Sequence, residues 1–223
     1  GFAPGTGFGT AVALAPDGGA YVAGSVDNGN DWGLVRYDPA GNELWSRVYF
    51  TNTSYLTEPE DLAVDAQGNV YVTGDTESAQ TSTAARTLKY DSAGNLLWNH
   101  AFHVGTADSS ATSLAVDAAG NVYVAGSTVV PNKASELSLH KLDASGALQW
   151  WKSYGHFALS AHDRGTDVAV DSVGRILVAG YIGSNTLQGP DAALLKFDAA
   201  GNLLWDRTWD GPAGRPGPGR QLA

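Results

Sequence analysis

The stretch LAVDAQGNVYVTG, Leu62 to Gly74, decides the fold. Two short apolar runs, Leu62–Val64 and Val70–Val72, flank an Asp-x-x-Gly-Asn element. Runs that are short, β-branched and aromatic, and bounded by Gly, Asn and Asp, read as strands joined by a tight turn. In that turn the Asp65 carboxylate can cap the backbone amides that follow it, and Gly68 supplies the positive φ that a hairpin needs. The element recurs as LAVDAAGNVYVAG from Leu114 to Gly126 and as VAVDSVGRILVAG from Val168 to Gly180. A divergent copy, VALAPDGGAYVAG from Val12 to Gly24, has Ala15 where the others have Asp.

A second element follows each copy: RYDPAGNELW to Trp45, KYDSAGNLLW to Trp98, KLDASGALQW to Trp150 and KFDAAGNLLW to Trp205. The tryptophans are spaced by 53, 52 and 55 residues. Each copy therefore reads as four short strands, which in the second are a (Leu62–Asp65), b (Val70–Gly74), c (Thr87–Tyr90) and d (Leu96–Phe102). No stretch sustains a 3.6-residue period, so helix should be nearly absent. Strands a and b are apolar on both faces, as in sheets stacked on both sides. Four-stranded units with a period of roughly 40–55 residues are the signature of a β-propeller. The expected architecture is all-β, with four antiparallel blades at residues 10–50, 61–104, 112–154 and 166–209. Residues 1–9 read as a preceding d–a loop or linker, and 210–223 as a linker and the start of a next strand a.

The pattern A-x-D-x-x-G-N-x-Y-V-x-G, followed by K-Y-D-x-x-G-N-x-x-W, resembles the SBBP-type β-propeller repeat of bacterial secreted and surface proteins, and the likeness runs over about residues 10–209. It is similar in places to the NHL repeat, which is shorter and lacks the strand d tryptophan. The GNLLW element also resembles the tryptophan-ended hairpin of quinoprotein propellers. The SBBP resemblance implies a ring of about seven blades, an extracellular, cell-surface or periplasmic setting, and a binding or scaffold role. It transfers no catalytic residue.

Composition excludes several classes. The 223 residues carry 23 acidic against 13 basic side chains, a formal charge of −10. A nucleic-acid binder needs a basic stripe to displace counterions, and anionic lipid repels such a surface. No apolar run approaches the roughly 20 residues of a membrane span, so direct membrane insertion is not expected. The absence of cysteine removes thiolate metal sites and thiol nucleophiles, and fits a chain that lives outside the cell. There is no methionine either, and Leu222 falls where a fifth strand a should begin, so the chain is expected to be a window on a longer array.

The a–b and c–d turns are nearly uniform among the copies, whereas the b–c and d–a connections differ, and in a propeller these two share one face. The b–c loops read as Val26–Gly33, Asp75–Arg86, Ser127–Leu137 and Ile182–Ala192, and the d–a loops as Thr51–Glu60, Val104–Ser113 and Gly155–Thr166. Polar and aromatic residues in them are the candidates for a partner: Trp32, Asn28, Asn30, Asp31, Tyr55, Glu77, Asn132, Lys133, His156, His162, Asn185 and Gln188. Trp32 suits stacking on a sugar or anchoring a protein, against the alternative that it packs between blades. Asp27 and Asp31 are a calcium candidate in a loop that lacks the EF-hand order, and an ordinary Asn/Gly loop is the competing reading. Asp65, Asp91, Asp117 and Asp198, with Gly68, Gly94, Gly120 and Gly201, read as turn formers rather than calcium ligands; Trp45, Trp98, Trp150 and Trp205 read as blade core. His100 and His103 lie three apart on strand d and cannot chelate together, His140 is expected to pack, and His156 with His162-Asp163 could suit a metal or an acid–base pair. Arg36, Lys89, Lys141 and Lys196 recur at one strand c position, as expected of a structural charge that pairs between blades.

No Gly-x-Ser-x-Gly elbow, P-loop or His-Glu-x-x-His is present. The leading expectation is a non-catalytic extracellular propeller that needs no cofactor and binds a protein or glycan through the b–c/d–a face. Further blades of the same polypeptide are the other partner expected. A structural subunit of a surface layer, filament or membrane-associated complex is the alternative, and a quinoprotein-like or other propeller enzyme the second.

Overall fold

The structure, a computed structural model of the chain, describes residues 7–27, 30–51, 57–78, 81–131, 134–155, 162–183 and 190–209. Within them the regular elements are strands, in four antiparallel four-stranded sheets that follow chain order. Blade 1 is β1 (Phe8–Leu14), β2 (Ala20–Val26), β3 (Asp31–Tyr37) and β4 (Glu43–Tyr49). Blade 2 is β5 (Pro59–Val64), β6 (Val70–Ser78), β7 (Thr81–Tyr90) and β8 (Leu96–Phe102). Blade 3 is β9 (Ser109–Val116), β10 (Val122–Val129), β11 (Ser135–Leu142) and β12 (Leu148–Tyr154). Blade 4 is β13 (Arg164–Val170), β14 (Ile176–Ile182), β15 (Asp191–Phe197) and β16 (Leu203–Trp209). The first strand of each blade packs against that of the next: β1 on β5, β5 on β9, β9 on β13. This is the blade-on-blade order of a β-propeller. No helix among the described residues is long and apolar enough to cross a membrane.

The turns form for the reasons the sequence gives. Asp65 Oδ1 accepts from the amides of Gln67 at 3.0 Å and Asn69 at 2.8 Å, and Oδ2 from Asn69 Nδ2 at 2.7 Å. Asp38, Asp91, Asp117 and Asp198 repeat this three-bond cap. In blade 1, where Ala15 replaces the Asp, the cap is lost, and Asp17 accepts from the Gly19 amide and holds the buried Arg36 guanidinium in a bidentate pair at 2.6 and 2.7 Å.

Three apolar clusters fill the three interfaces between successive blades. Fully buried side chains such as Tyr71, Leu88, Leu139 and Ile176 contribute about 1.5–3 kcal/mol each by leaving water. The strand d tryptophans add a directional lock. Trp45 Nε1 donates to Ser92 O at 3.0 Å and Trp98 Nε1 to Ala144 O at 3.1 Å, each in the c–d turn of the next blade. A Cβ on Gly146 would come within 2.7 Å of the Trp98 ring, so the turn glycine also makes the seat.

Several expectations are corrected. The β6–β7 hairpin runs on to the Ser78–Thr81 pair, so most of the stretch read as a loop at Asp75–Arg86 is Thr-rich ladder. Among the described residues the strand c cations find their partners within their own blades. Arg36 pairs with Asp17 of its own blade, Lys89 and Lys141 lie over the rings of Tyr71 and Tyr123 at 4.8 and 5.0 Å, and Lys196 over Trp205 at 5.8 Å, all within a blade. Apolar strand a residues are not covered everywhere: Val12 and Leu14 on β1 are 69% and 77% exposed.

Candidate functional site

Strand a bends the same way in each blade. A register shift falls at residue 10 in β1, 60 in β5 and 166 in β13, and β9 shifts opposite Ala125/Gly126, at residue 112. A bulge leaves one residue outside the ladder and re-aims its side chain. Gly126 faces this bulge, and a Cβ there would overlap the Ser110 carbonyl. The bulged residue is Thr10, Thr112 and Thr166 in blades 1, 3 and 4. Thr10 Oγ1 donates to Pro59 O and Thr112 Oγ1 to Gly165 O at 2.6 Å, stitching one blade to the next. Blade 2 has Glu60 instead.

A carboxylate cannot donate that bond, and the blade 2–3 seam opens there into a cavity of about 360 Å³ at the end where the b–c and d–a connections lie. Glu58, Glu60 and Asp75 line it from blade 2, and Asp108, Ser110 and Ser127 from blade 3, with Thr83, Ser109, Val129 and Ser135 completing the wall. Several groups are fixed by the fold. Asp75 Oδ1 accepts from the Ala111 amide and Asp108 Oδ1 from the Thr83 amide, both at 2.7 Å. Ser110 and Ser127 bond each other at 2.9 Å, and Ser109 bonds Thr128 at 2.8 Å. Partial burial pushes the Glu60 carboxyl above its ordinary value, Arg164 opposes this and Glu58 adds to it. The wall thus presents carboxylate and hydroxyl oxygens. It can accept hydrogen bonds from sugar hydroxyls or from an amine, and it repels anions.

The residues expected to meet a partner fare unevenly. Trp32 is 2% exposed and packs on Tyr49 with ring centres 6.1 Å apart, so it is core, not a stacking platform. Asp31 is buried and Oδ1 accepts from the Thr51 amide at 2.8 Å, tying strand c to the d–a connection. Asn30 does the same through its carbonyl, which accepts from Thr51 and Thr57. Asp27 is exposed with φ at 51°, and among the described residues no group of three or more His, Asp or Glu gathers to hold a metal. His162 meets Ser135 at 3.2 Å beside the cavity, while its neighbour Asp163 is buried and accepts from the Gly183 amide at 2.6 Å. Asn28, Tyr55, Asn132, Lys133, His156, Asn185, Gln188 and the Glu77 side chain lie outside the described residues. His140 is buried, and loss of water, with His100 nearby, pushes its imidazole down to about 3. Glu58, Glu60 and Asp108 lie within the stretches read as loops, where no motif marks them. Comparison of the copies carries the signal, since Glu60 alone breaks the series Thr10, Thr112, Thr166.

Comparison with known proteins agrees with this architecture. Residues 45–79 match the family model SBBP, described as a beta-propeller repeat. No curated protein sequence is significantly similar to the chain. Among solved structures, a protein of unknown function from Bacteroides caccae superposes with a TM-score of 0.57 at 15% identity, over 92% of this chain and 69% of that one. One from Dyadobacter fermentans, also of unknown function, gives 0.58 at 10% identity, over 86% and 60%. A gluconolactonase from Xanthomonas campestris gives 0.49 at 16% identity, over 88% and 61%. The chain spans 60% to 69% of the length of these structures, and at such identities the likeness is one of fold. Four blades in register, each with at least one Asp-x-x-Gly-Asn turn, make the chain a β-propeller that carries an SBBP repeat at residues 45–79.

Proposed function

We propose that this is a non-catalytic propeller of the extracellular or envelope space that binds a glycan or protein partner through its b–c/d–a face. The observation that carries this is the seam cavity between blades 2 and 3, opened where Glu60 replaces the stitching threonine and walled by oxygens already ordered by the fold. A rigid scaffold with varied connections at one end is the usual arrangement for recognition. The wall favours neutral polyhydroxyl or cationic groups. The test is a glycan array with a parallel pull-down, using wild type and Glu60→Gln. Binding that falls at least tenfold in the variant supports the reading. Empty arrays together with empty pull-downs overturn it.

The second reading, a structural subunit of a larger assembly, is favoured by the exposed apolar faces at both ends of the four-blade arc. Val12 and Leu14 on β1 and Trp209 on β16, the last 66% exposed, occupy positions that blade neighbours cover elsewhere. Native mass spectrometry distinguishes the two, because a monodisperse monomer counts against assembly.

A further inference from the structure

The blade 2–3 interface holds a second feature, remote in kind from the cavity. His140 on β11 is 1% exposed, and neither of its ring nitrogens has a hydrogen-bond partner among the described residues. His100 on β8 meets it across the interface, with Nε2 likewise buried and unpartnered. The ring centres are 6.4 Å apart and the planes 40° apart, and Phe102 stacks on His140 at 4.4 Å.

The repeat makes this pair an anomaly. The position of His140 is Val35, Leu88 and Leu195 in the other blades, and that of His100 is Arg47, Lys152 and Arg207. In the other blades an aliphatic residue and a long cation hold these two positions. Here two imidazoles share one apolar gap, and a buried nitrogen without a partner is costly. A neutral imidazole always keeps one lone pair for a Lewis acid.

The spacing fits one ion between the rings. A metal-bound imidazole has its ring centre roughly 3 Å from the ion, so two rings in line across it lie about 6 Å apart. Zinc would want two more ligands and would bring a double charge into an apolar gap. No group of three or more ligating side chains is present among the described residues to supply them. A monovalent ion that accepts two ligands in line fits the donors available. We propose that His100 and His140 form a two-coordinate site for copper(I), with Phe102 shielding it and the partly exposed edge of His100 as its entry.

The test is an anaerobic titration with copper(I) against a competing chelator, repeated in air with silver(I). The chain has no cysteine or methionine, so no thiolate or thioether competes, and the variants separate this pair from the other imidazoles, His103, His156 and His162. The variants are His140→Leu and His100→Arg, each restoring the residue of other blades, with folding checked by thermal unfolding. The expected result is one ion per wild-type chain, a raised Tm on loading, and affinity at least tenfold weaker in either variant. Absence of stoichiometric binding by the wild type overturns the proposal, as does binding retained within twofold in both folded variants. Zinc(II) bound more tightly than copper(I) also overturns it.

Discussion

Trp98 Nε1 donates to the Ala144 carbonyl at 3.1 Å, and its ring covers Gly146 in the same turn of the next blade. One side chain thus supplies both a bond and a packed face across a blade boundary. Trp98→Phe keeps most of the face and removes the bond, which should cost about 1 kcal/mol. Trp98→Ala removes both and should cost about 2–4 kcal/mol. Urea unfolding of the two variants checks this; equal losses would mean that the indole N–H contributes nothing.

Gly126 should tolerate no side chain. A Cβ there overlaps the Ser110 carbonyl at the bulge between β9 and β10. Gly126→Ala must move one strand, at a cost of about 3 kcal/mol. Hydrogen exchange should show the loss first at the paired amides of Thr128 and Ser109, beyond the bulge. An unchanged unfolding midpoint would refute the bulge geometry.

What the sequence made legible was whatever repeats. Blade order, the Asp caps and the tryptophan seats follow from local patterns seen several times in one chain. What it hid was whatever a single blade does differently across a seam. Glu60 reads as one more polar loop residue until its strand is known to bulge. His100 and His140 lie forty residues apart on different blades, and only blade packing brings them together. Trp32 left two readings open, stacking on a partner or packing between blades, and the second holds because β3 is buried along nearly its whole length.

The turn aspartates set an acid limit. Asp38, Asp91 and Asp198 are held below the ordinary value of 3.8, chiefly by the side-chain amides of Asn42, Asn95 and Asn202. Asp143 and Asp171 are lowered chiefly by Ser145 and by the Arg175 amide. Because the folded values lie below the unfolded one, their contribution is present above 3.8 and is lost as the pH falls through the folded values. Stability should therefore decline steeply below 3.8. Asp91→Asn should flatten that decline while lowering stability at neutral pH, since its amide would face the Asn95 amide. Circular dichroism against pH for both proteins decides; parallel curves would rule out this cap as a contributor.

Glu60→Thr restores the residue of the other three blades and sets stability against binding at one position. The new hydroxyl can donate to the Ala111 carbonyl, as Thr112 does to Gly165 O, and the repulsion between Glu60 and Glu58 disappears. Closing the seam should stabilise the chain by about 0.5–1.5 kcal/mol, the net worth of one hydrogen bond. The same change narrows the cavity and removes one of its wall carboxylates, so binding to whatever glycan or protein the array identifies should fall at least tenfold. A gain in Tm with loss of binding would mean that blade 2 gave up a structural bond for recognition. A loss of Tm with binding intact would mean that Glu60 is itself the structural residue and that the partner is held elsewhere.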